Sequence, residues 1–403
     1  MHEVTHFGGI VLLVSVALSL ALLSNKLSER LRVPTAAFFL LAAALVSDLW
    51  PRLGNVLSIR NVERIAVVAL IVILFDGGMR VGWSRFRESA LPIVSLGLFG
   101  TFATAGLMTL AAHYLLDFSW QTAGLLGAAL APTDPAVMFS VFGRKEIGGR
   151  TGTILEGEAG ANDPVGIALM LAAVSLAQSD STSVAHAVGE FILQLGVGIV
   201  VGVAGAYLVL LTLRRVVLPD PALYPLRTLA FAGAIYGLAT VAHGSGFLAV
   251  YVAGILVGDA DIPAKRAIER FNTSLASLAE IVVFVALGLT IDLTELGSNH
   301  LWLDGVVLAA VLAVVARPLA VGPLLLPVRL SGSERLFVMW SGLKGAVPIL
   351  LASFAVLGRV EDANRIYSIV FVVVAFSVVL QGASIPFVAA RLGIPMESRS
   401  VSG

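Results

Sequence analysis

The sequence predicts an all-α, polytopic membrane protein of about thirteen spans, and three observations lead there. Hydrophobic residues make up 58% of the 403 and charged residues only 13%, against about 25% charge in a soluble globular domain. Mean hydropathy is +0.95. Apolar runs approaching the ~20 residues that a helix needs to cross a bilayer recur along the whole chain, and the loops between them alternate between basic and poorly basic.

The thirteen runs lie at about 8–24, 35–50, 65–80, 90–113, 121–142, 152–177, 186–213, 228–243, 246–259, 274–291, 301–326, 336–357 and 366–389. No basic n-region or small-residue cleavage site precedes the first, which therefore reads as a retained span rather than a signal peptide. The second and ninth are short, and the ninth, from Gly246 to Asp259, reads as a half-span or a steeply placed helix. Every other loop is basic, beginning with Lys26, Arg30 and Arg32, then Arg80, Arg85 and Arg87, then Arg144, Lys145 and Arg150. The loops between hold only Arg52, Arg60, Arg64, Arg359 and Arg365. By the positive-inside rule the N-terminus lies outside, the C-terminus is cytoplasmic and the number of spans is odd, in a cell (inner) membrane. All six histidines then fall near the outer face and read as solvated loop residues. There is no cysteine, which removes disulfides and thiolate metal sites. A net charge of zero and the lack of a basic stripe argue against nucleic acid as a partner. One membrane domain, 1–403, is expected, with the lipid bilayer as its solvent.

Ionisable residues inside spans cost roughly 2.5–3.5 kcal/mol each on insertion scales and default to a functional reading. The fifth run contains Ala131-Pro132-Thr133-Asp134-Pro135, and two prolines around Thr133 and Asp134 predict an unwound segment. The sixth contains Glu156-Gly157-Glu158-Ala159-Gly160-Ala161-Asn162-Asp163-Pro164. Asp163 has no basic mate nearby in sequence and is the strongest functional candidate, with Asn162 beside it. Thr153 and Glu156 have capping-box spacing, which gives Glu156 a structural reading as a helix cap. The twelfth run, Ser341-Gly342-Leu343-Lys344-Gly345-Ala346-Val347-Pro348, is also expected to break. Interrupted helices in the fifth and twelfth runs are what an inverted repeat produces, and carboxylates beside freed carbonyls at such breaks build cation sites. A transporter of a small cation is the expectation. Asp76 reads either as a gate or access residue or as an interfacial partner of Arg80 at i+4. Glu280 and Arg317 are expected to form a structural ion pair across the tenth and eleventh runs.

Together these motifs resemble the monovalent cation:proton antiporters of the first cation–proton antiporter family, in its NhaP-like branch and closest to the cell volume regulation protein A type, a potassium/proton antiporter. The resemblance covers about residues 8 to 390. Its residues are Phe75-Asp76-Gly77-Gly78-Met79-Arg80, Thr133-Asp134, Leu155-Glu156, Glu158, Asn162-Asp163-Pro164, Ala316-Arg317-Pro318-Leu319 and Gly345-Ala346-Val347-Pro348-Ile349. It implies a homodimer in which core helices (about 90–177 and 301–389) move against interface helices (about 8–80 and 186–291). Asp163 would bind a proton or a monovalent cation, Na+ or K+, with Asp134, the Thr133 carbonyl and Asp76 lining the site. Glu158 would pair with the cation on the twelfth helix, Lys344. Three features depart from the family pattern. Ala159 replaces a usual serine, Lys344 a usual arginine, and the cytosolic regulatory region of the cell volume regulation type is not expected in a chain that stops at Gly403.

The expected mechanism is competition of H+ and a cation for one carboxylate, coupled by alternating access, without covalent chemistry or a cofactor, so the chain is not expected to be an enzyme. Exchange is expected to be electroneutral, because Asn162 stands where electrogenic relatives have a second aspartate. A passive cation channel is the alternative. An intramembrane aspartyl protease using Asp134 and Asp163 is disfavoured by the proline after each.

Overall fold

The computed structural model describes residues 34–49, 58–134, 145–178, 184–298 and 300–398. The expected first span, 8–24, lies outside them, as does the stretch from Pro135 to 144. Every other expected run falls, in whole or in part, on a described helix. In chain order these are α1 (Thr35–Leu49), α2 (Ile59–Ser95), α3 (Thr101–Leu116), α4 (Trp120–Leu130), α5 (Gly149–Gln178), α6 (Val184–Arg215), α7 (Leu223–Val241) and α8 (Gly246–Gly258). They continue as α9 (Lys265–Gly288), α10 (Leu293–Ser298), α11 (Leu301–Val311), α12 (Arg317–Leu325), α13 (Gly332–Trp340), α14 (Ala346–Leu357), α15 (Ala363–Phe376) and α16 (Gly382–Leu392). Wide π turns at Leu96–Gly100, Leu312–Ala316 and Ser377–Gln381 join α2 to α3, α11 to α12 and α15 to α16. Such turns insert one extra residue into a helix and often sit at functional places. Here Arg317 follows the second directly and Ser377 opens the third.

From Ile59 to Leu116 the chain is helical for 58 residues, about 87 Å at the helical rise and far more than one bilayer core. Two spans are formed because the backbone leaves the helical region at Gly82 (φ 65°, ψ 160°) and again at Ser89. Only glycine takes the Gly82 conformation without strain. The carboxylate of Asp259 occupies the space where a side chain at 82 would sit, and it accepts the N–H of Ser84 at 2.5 Å. A basic loop followed by a new run was legible in the sequence; the residue at which the chain turns is Gly82.

The short ninth span is α8, 13 residues long, or about 20 Å. It is buried along most of its length between α2, α6 and α7. Gly78 and Gly254 let α2 and α8 touch backbone to backbone, since a Cβ on either would strike the other helix's main chain. Around the predicted site, α4 packs on α3, α5 and α14, α14 packs on α15, and α9 lies against α1 and α2.

A small ribbon accompanies the all-α fold, and one local expectation is corrected. A short antiparallel ribbon, β1 (Lys145–Ile147) with β2 (Met396–Ser398), joins the start of α5 to the segment after α16. It adds a small β element to the predicted all-α fold. The Thr153–Glu156 capping box does not form. Helix α5 begins at Gly149, so Thr153 is already inside it and donates back to the Gly149 carbonyl at 3.3 Å. The box that does form is Ser331 with Glu334 on α13, and Glu334 also accepts the Thr151 hydroxyl at 2.8 Å, tying α13 to α5. Capping spacing has meaning only where a helix starts, and the spacing does not say where that is.

Candidate functional site

Two irregular segments meet at the candidate site, one after α4 and one between α13 and α14. The first leaves the helix after α4 and runs irregularly through Ala131, Pro132, Thr133 and Asp134. The second is irregular from Ser341 to Gly345, between α13 and α14. They are joined where the Asp134 N–H donates to the Leu343 carbonyl at 2.8 Å. Lys344, 1% exposed, extends to the end of α4 and donates from Nζ to the carbonyls of Ala131 and Pro132 at 2.9 and 2.7 Å. Carbonyls at a helix C-terminus carry partial negative charge, so an ammonium is favoured there. The reciprocal match is Asp134, whose carboxylate lies against Gly345 at the N-terminus of α14; a Cβ on residue 345 would occupy the same space. Each break thus offers its charged end to the opposite charge of the other helix, which is how irregular backbone is satisfied away from water. The Lys344 N–H donates to Ser377 Oγ at 2.9 Å, and that hydroxyl donates to Gln381 at 3.0 Å.

The sixth span is not broken: α5 runs through Pro164 without interruption. Asn162 on α5 clamps the first break, accepting the Thr133 N–H at 3.2 Å and donating to the Thr133 hydroxyl at 2.7 Å. Beside it, Asp163 is 6% exposed, and its Oδ1 is a buried oxygen without a hydrogen-bond partner among the described residues. Asp134 and Lys344 lie within electrostatic reach of it. The site therefore brings together Asp163, Asp134, Thr133, Asn162 and Lys344, and Ala159 is buried on the same helix.

Both expected ion pairs are corrected. Glu158 pairs with Arg317 and not with Lys344: the guanidinium donates to both carboxylate oxygens at 2.5 and 3.0 Å, and both side chains are buried. A planar guanidinium matches a carboxylate with two parallel bonds, whereas an ammonium is a point charge suited to converging carbonyls. Gly342 leaves room for the guanidinium, because a Cβ there would meet its Cζ at 2.7 Å. Arg317 is consequently not the partner of Glu280. Glu280, on α9, is half-buried and makes no ion pair among the described residues; it lies within electrostatic reach of Asp134 and Arg80.

The Arg80 contact expected for Asp76 forms. The carboxylate accepts from Arg80 Nε at 2.7 Å and from the Thr273 hydroxyl at 2.9 Å, so both oxygens are bound between α2 and α9. Glu156 lines a cavity of about 460 Å³ with Arg85, Glu88, Ser89 and Thr153. Tyr251 of α8 lies near both Glu156 and Asp163. Its hydroxyl donates to the Gly157 carbonyl at 3.3 Å, its ring packs on Gly160, and both Glu156 and Asp163 are within its electrostatic reach. The sequence reading missed Tyr251, and an aromatic in an apolar run carries no signal that would single it out. Among the described histidines, His113 is not a free solvated group: it stacks on Trp120 and shares a 2.6 Å hydrogen bond with the Phe118 carbonyl.

Comparison with known proteins completes the picture. The family model described as sodium/hydrogen exchanger, transmembrane, matches residues 13–391. The K(+)/H(+) antiporter NhaP of Alkalimonas amylolytica is 35% identical over 395 residues, covering 96% of this chain and 68% of that protein. The K(+)/H(+) antiporter NhaP2 of Shewanella sp. (strain ANA-3) is 33% identical over 390 residues, covering 96% of this chain and 66% of that one. The chain thus spans about two thirds of the length of these curated relatives. In fold it is similar to the sodium proton antiporter MjNhaP1 from Methanocaldococcus jannaschii at pH 8, with a TM-score of 0.78 over 95% of this chain and 100% of that chain, at 24% identity. The chain belongs to the sodium/hydrogen exchanger family.

Proposed function

We propose that this member of the sodium/hydrogen exchanger family exchanges a monovalent cation, Na+ or K+, for protons by alternating access, with Asp163 holding one or the other. The observation that carries this reading is the buried Oδ1 of Asp163, which has no donor from the described protein. A buried acceptor left without a partner costs about 1–3 kcal/mol, and more when charged. A bound proton or a bound cation removes that cost, and each excludes the other. Asp134 and the Thr133 main chain stand beside Asp163 as further oxygen ligands for the cation. Relatives named K(+)/H(+) antiporters favour K+, while a relative named low-affinity Na(+)/H(+) antiporter, from Synechocystis, keeps Na+ open.

Exchange is one proton for one cation. Asn162 is engaged with Thr133, Glu158 with Arg317, Lys344 with two carbonyls, and the Asp134 carboxylate lies against Gly345 at the start of α14, which supports Asp163 as the group at the site that changes charge. The moving core comprises helices within about 90–177 and 301–389, sliding against interface helices within about 8–80 and 186–291 of a homodimer. The protein resides in the inner membrane with its N-terminus outside, a placement that the basic loops support.

The test is a pH-dye assay in proteoliposomes, adding Na+ or K+ outside. Asp163→Asn, which can neither titrate nor supply charge, should abolish cation-driven proton movement while the protein keeps its melting transition. More than a small residual fraction of exchange in that variant would refute the assignment.

A further inference from the structure

Glu280 is an unexplained carboxylate in this fold. It stands fifteen residues into α9 from Lys265, about 22 Å along the helix. Asp163 stands fourteen residues into α5 from Gly149, about 21 Å. Both helices start on the basic face, so the two carboxylates lie at similar depth. A carboxylate at that depth requires a cation, a donor or water. Glu280 has no ion pair and no hydrogen bond among the described residues, and it is half-buried rather than sealed. It does not belong to the Asp76 cluster, whose two oxygens are filled by Arg80 and Thr273. It does share one helix face with that cluster, because Thr273, Ser277 and Glu280 recur at i, i+4 and i+7. Within its electrostatic reach are Asp134, on the broken helix of the site, and Arg80.

We infer that Glu280 is a further cation-binding position on the transport route, a carboxylate on α9 that holds the monovalent cation beside Asp134 before it passes to Asp163. This inference rests on the exchange function proposed above. A second carboxylate within electrostatic reach of Asp134 raises the local cation concentration. Because Glu280 is placed on α9, its distance from Asp134 changes if the core helices move against it. The cation would then be held by both groups in one state and released from one of them in the other. Glu280 acts on cation capture rather than on the competition at Asp163.

The experiment measures initial rates of exchange against K+ and Na+ concentration, at fixed pH, in proteoliposomes. Glu280→Gln should raise the cation KM about tenfold, the effect of removing one nearby unit charge, with a maximal rate within about twofold of the parent. Glu280→Asp, which keeps the charge, should restore KM to within about threefold of the parent. An unchanged KM in Glu280→Gln, or a fall in maximal rate alone, would overturn the inference. Asp163→Asn run alongside separates the two claims: if it abolishes exchange while Glu280→Gln leaves KM unchanged, only the role of Glu280 fails. A second measurement needs no variant. In the unsubstituted protein a water-soluble carbodiimide with a small amine should label Glu280, as read by peptide mass spectrometry, and millimolar K+ or Na+ should protect it. Absence of labelling, or labelling indifferent to the cation, would overturn it equally.

Discussion

Replacing Arg317 with alanine is expected to be among the most damaging single changes in the core. The guanidinium makes two bonds to Glu158, at 2.5 and 3.0 Å, where Glu158 is 2% exposed. Charge-assisted bonds contribute about 1.5–3 kcal/mol each. Removing one member of a buried pair costs about 3–5 kcal/mol in total, because the other charge is stranded. For 403 residues, an unfolding entropy of about 2.1 cal/mol/K per residue makes 1 kcal/mol worth roughly 1.2 °C. Arg317→Ala should therefore melt roughly 4–6 °C below the parent. Glu158→Ala should fall by a similar amount, since it strands Arg317. The double variant strands neither charge and should melt above the additive expectation by a coupling energy of up to about 3 kcal/mol. Intrinsic tryptophan fluorescence during heating in detergent reads all four proteins. Lys344 provides the control: its hydrogen bonds go to Ala131 and Pro132, so Lys344→Ala with Glu158→Ala should couple more weakly than Arg317→Ala with Glu158→Ala. Simple additivity for Arg317 and Glu158, or stronger coupling through Lys344, would show that the pairing described here is wrong.

Four further outcomes are expected. Lys344→Ala leaves two buried carbonyls without a donor, each costing about 1–3 kcal/mol; it should melt well below the parent, and Lys344→Arg, which keeps charge and donors, should lose less. Gly345→Ala pushes a methyl into the space of the Asp134 carboxylate, and a displacement of that size should cut the exchange rate about tenfold or more in vesicles. Clamping the membrane potential at different values should leave the exchange rate unchanged at fixed ion gradients, as one-for-one exchange requires; a systematic dependence on potential would refute it. Asp259, in the loop beyond α8, is exposed; the slight burial it has works against its ionisation, but the Ser84 backbone and side-chain hydrogen bonds, helped by Lys265 and Arg85, outweigh this and hold its carboxyl below the usual range. Because its folded pKa is depressed, its stabilising effect is full above about pH 4, the ordinary carboxylate value, and fades as pH falls through the depressed one. The melting difference between the parent and Asp259→Asn should follow that course, and a difference that persists at lower pH would refute the contact.

The sequence by itself determined the membrane class, the succession of spans, and which charges matter. Burying a charge in lipid is so costly that Asp163, Asp134, Lys344, Glu158 and Arg317 stand out against their apolar surroundings without any structure. Proline and glycine likewise marked where the fifth and twelfth spans break, since both act on the backbone of their own residue and its near neighbours. Partner choice was not legible. Glu158 and Arg317 are 159 residues apart, and nothing local distinguishes that pairing from Glu158 with Lys344 or Glu280 with Arg317. Tertiary structure decided it by geometry. The meeting of two irregular segments presents paired carbonyls of Ala131 and Pro132 to an ammonium, while the hollow at Gly342 accepts a flat guanidinium beside Glu158. The same holds for Asp76, whose i+4 partner Arg80 was readable from helical spacing but whose second partner, Thr273, comes from another helix. Single residues carry the cost of being charged in lipid; only the packed helices determine which groups meet that cost.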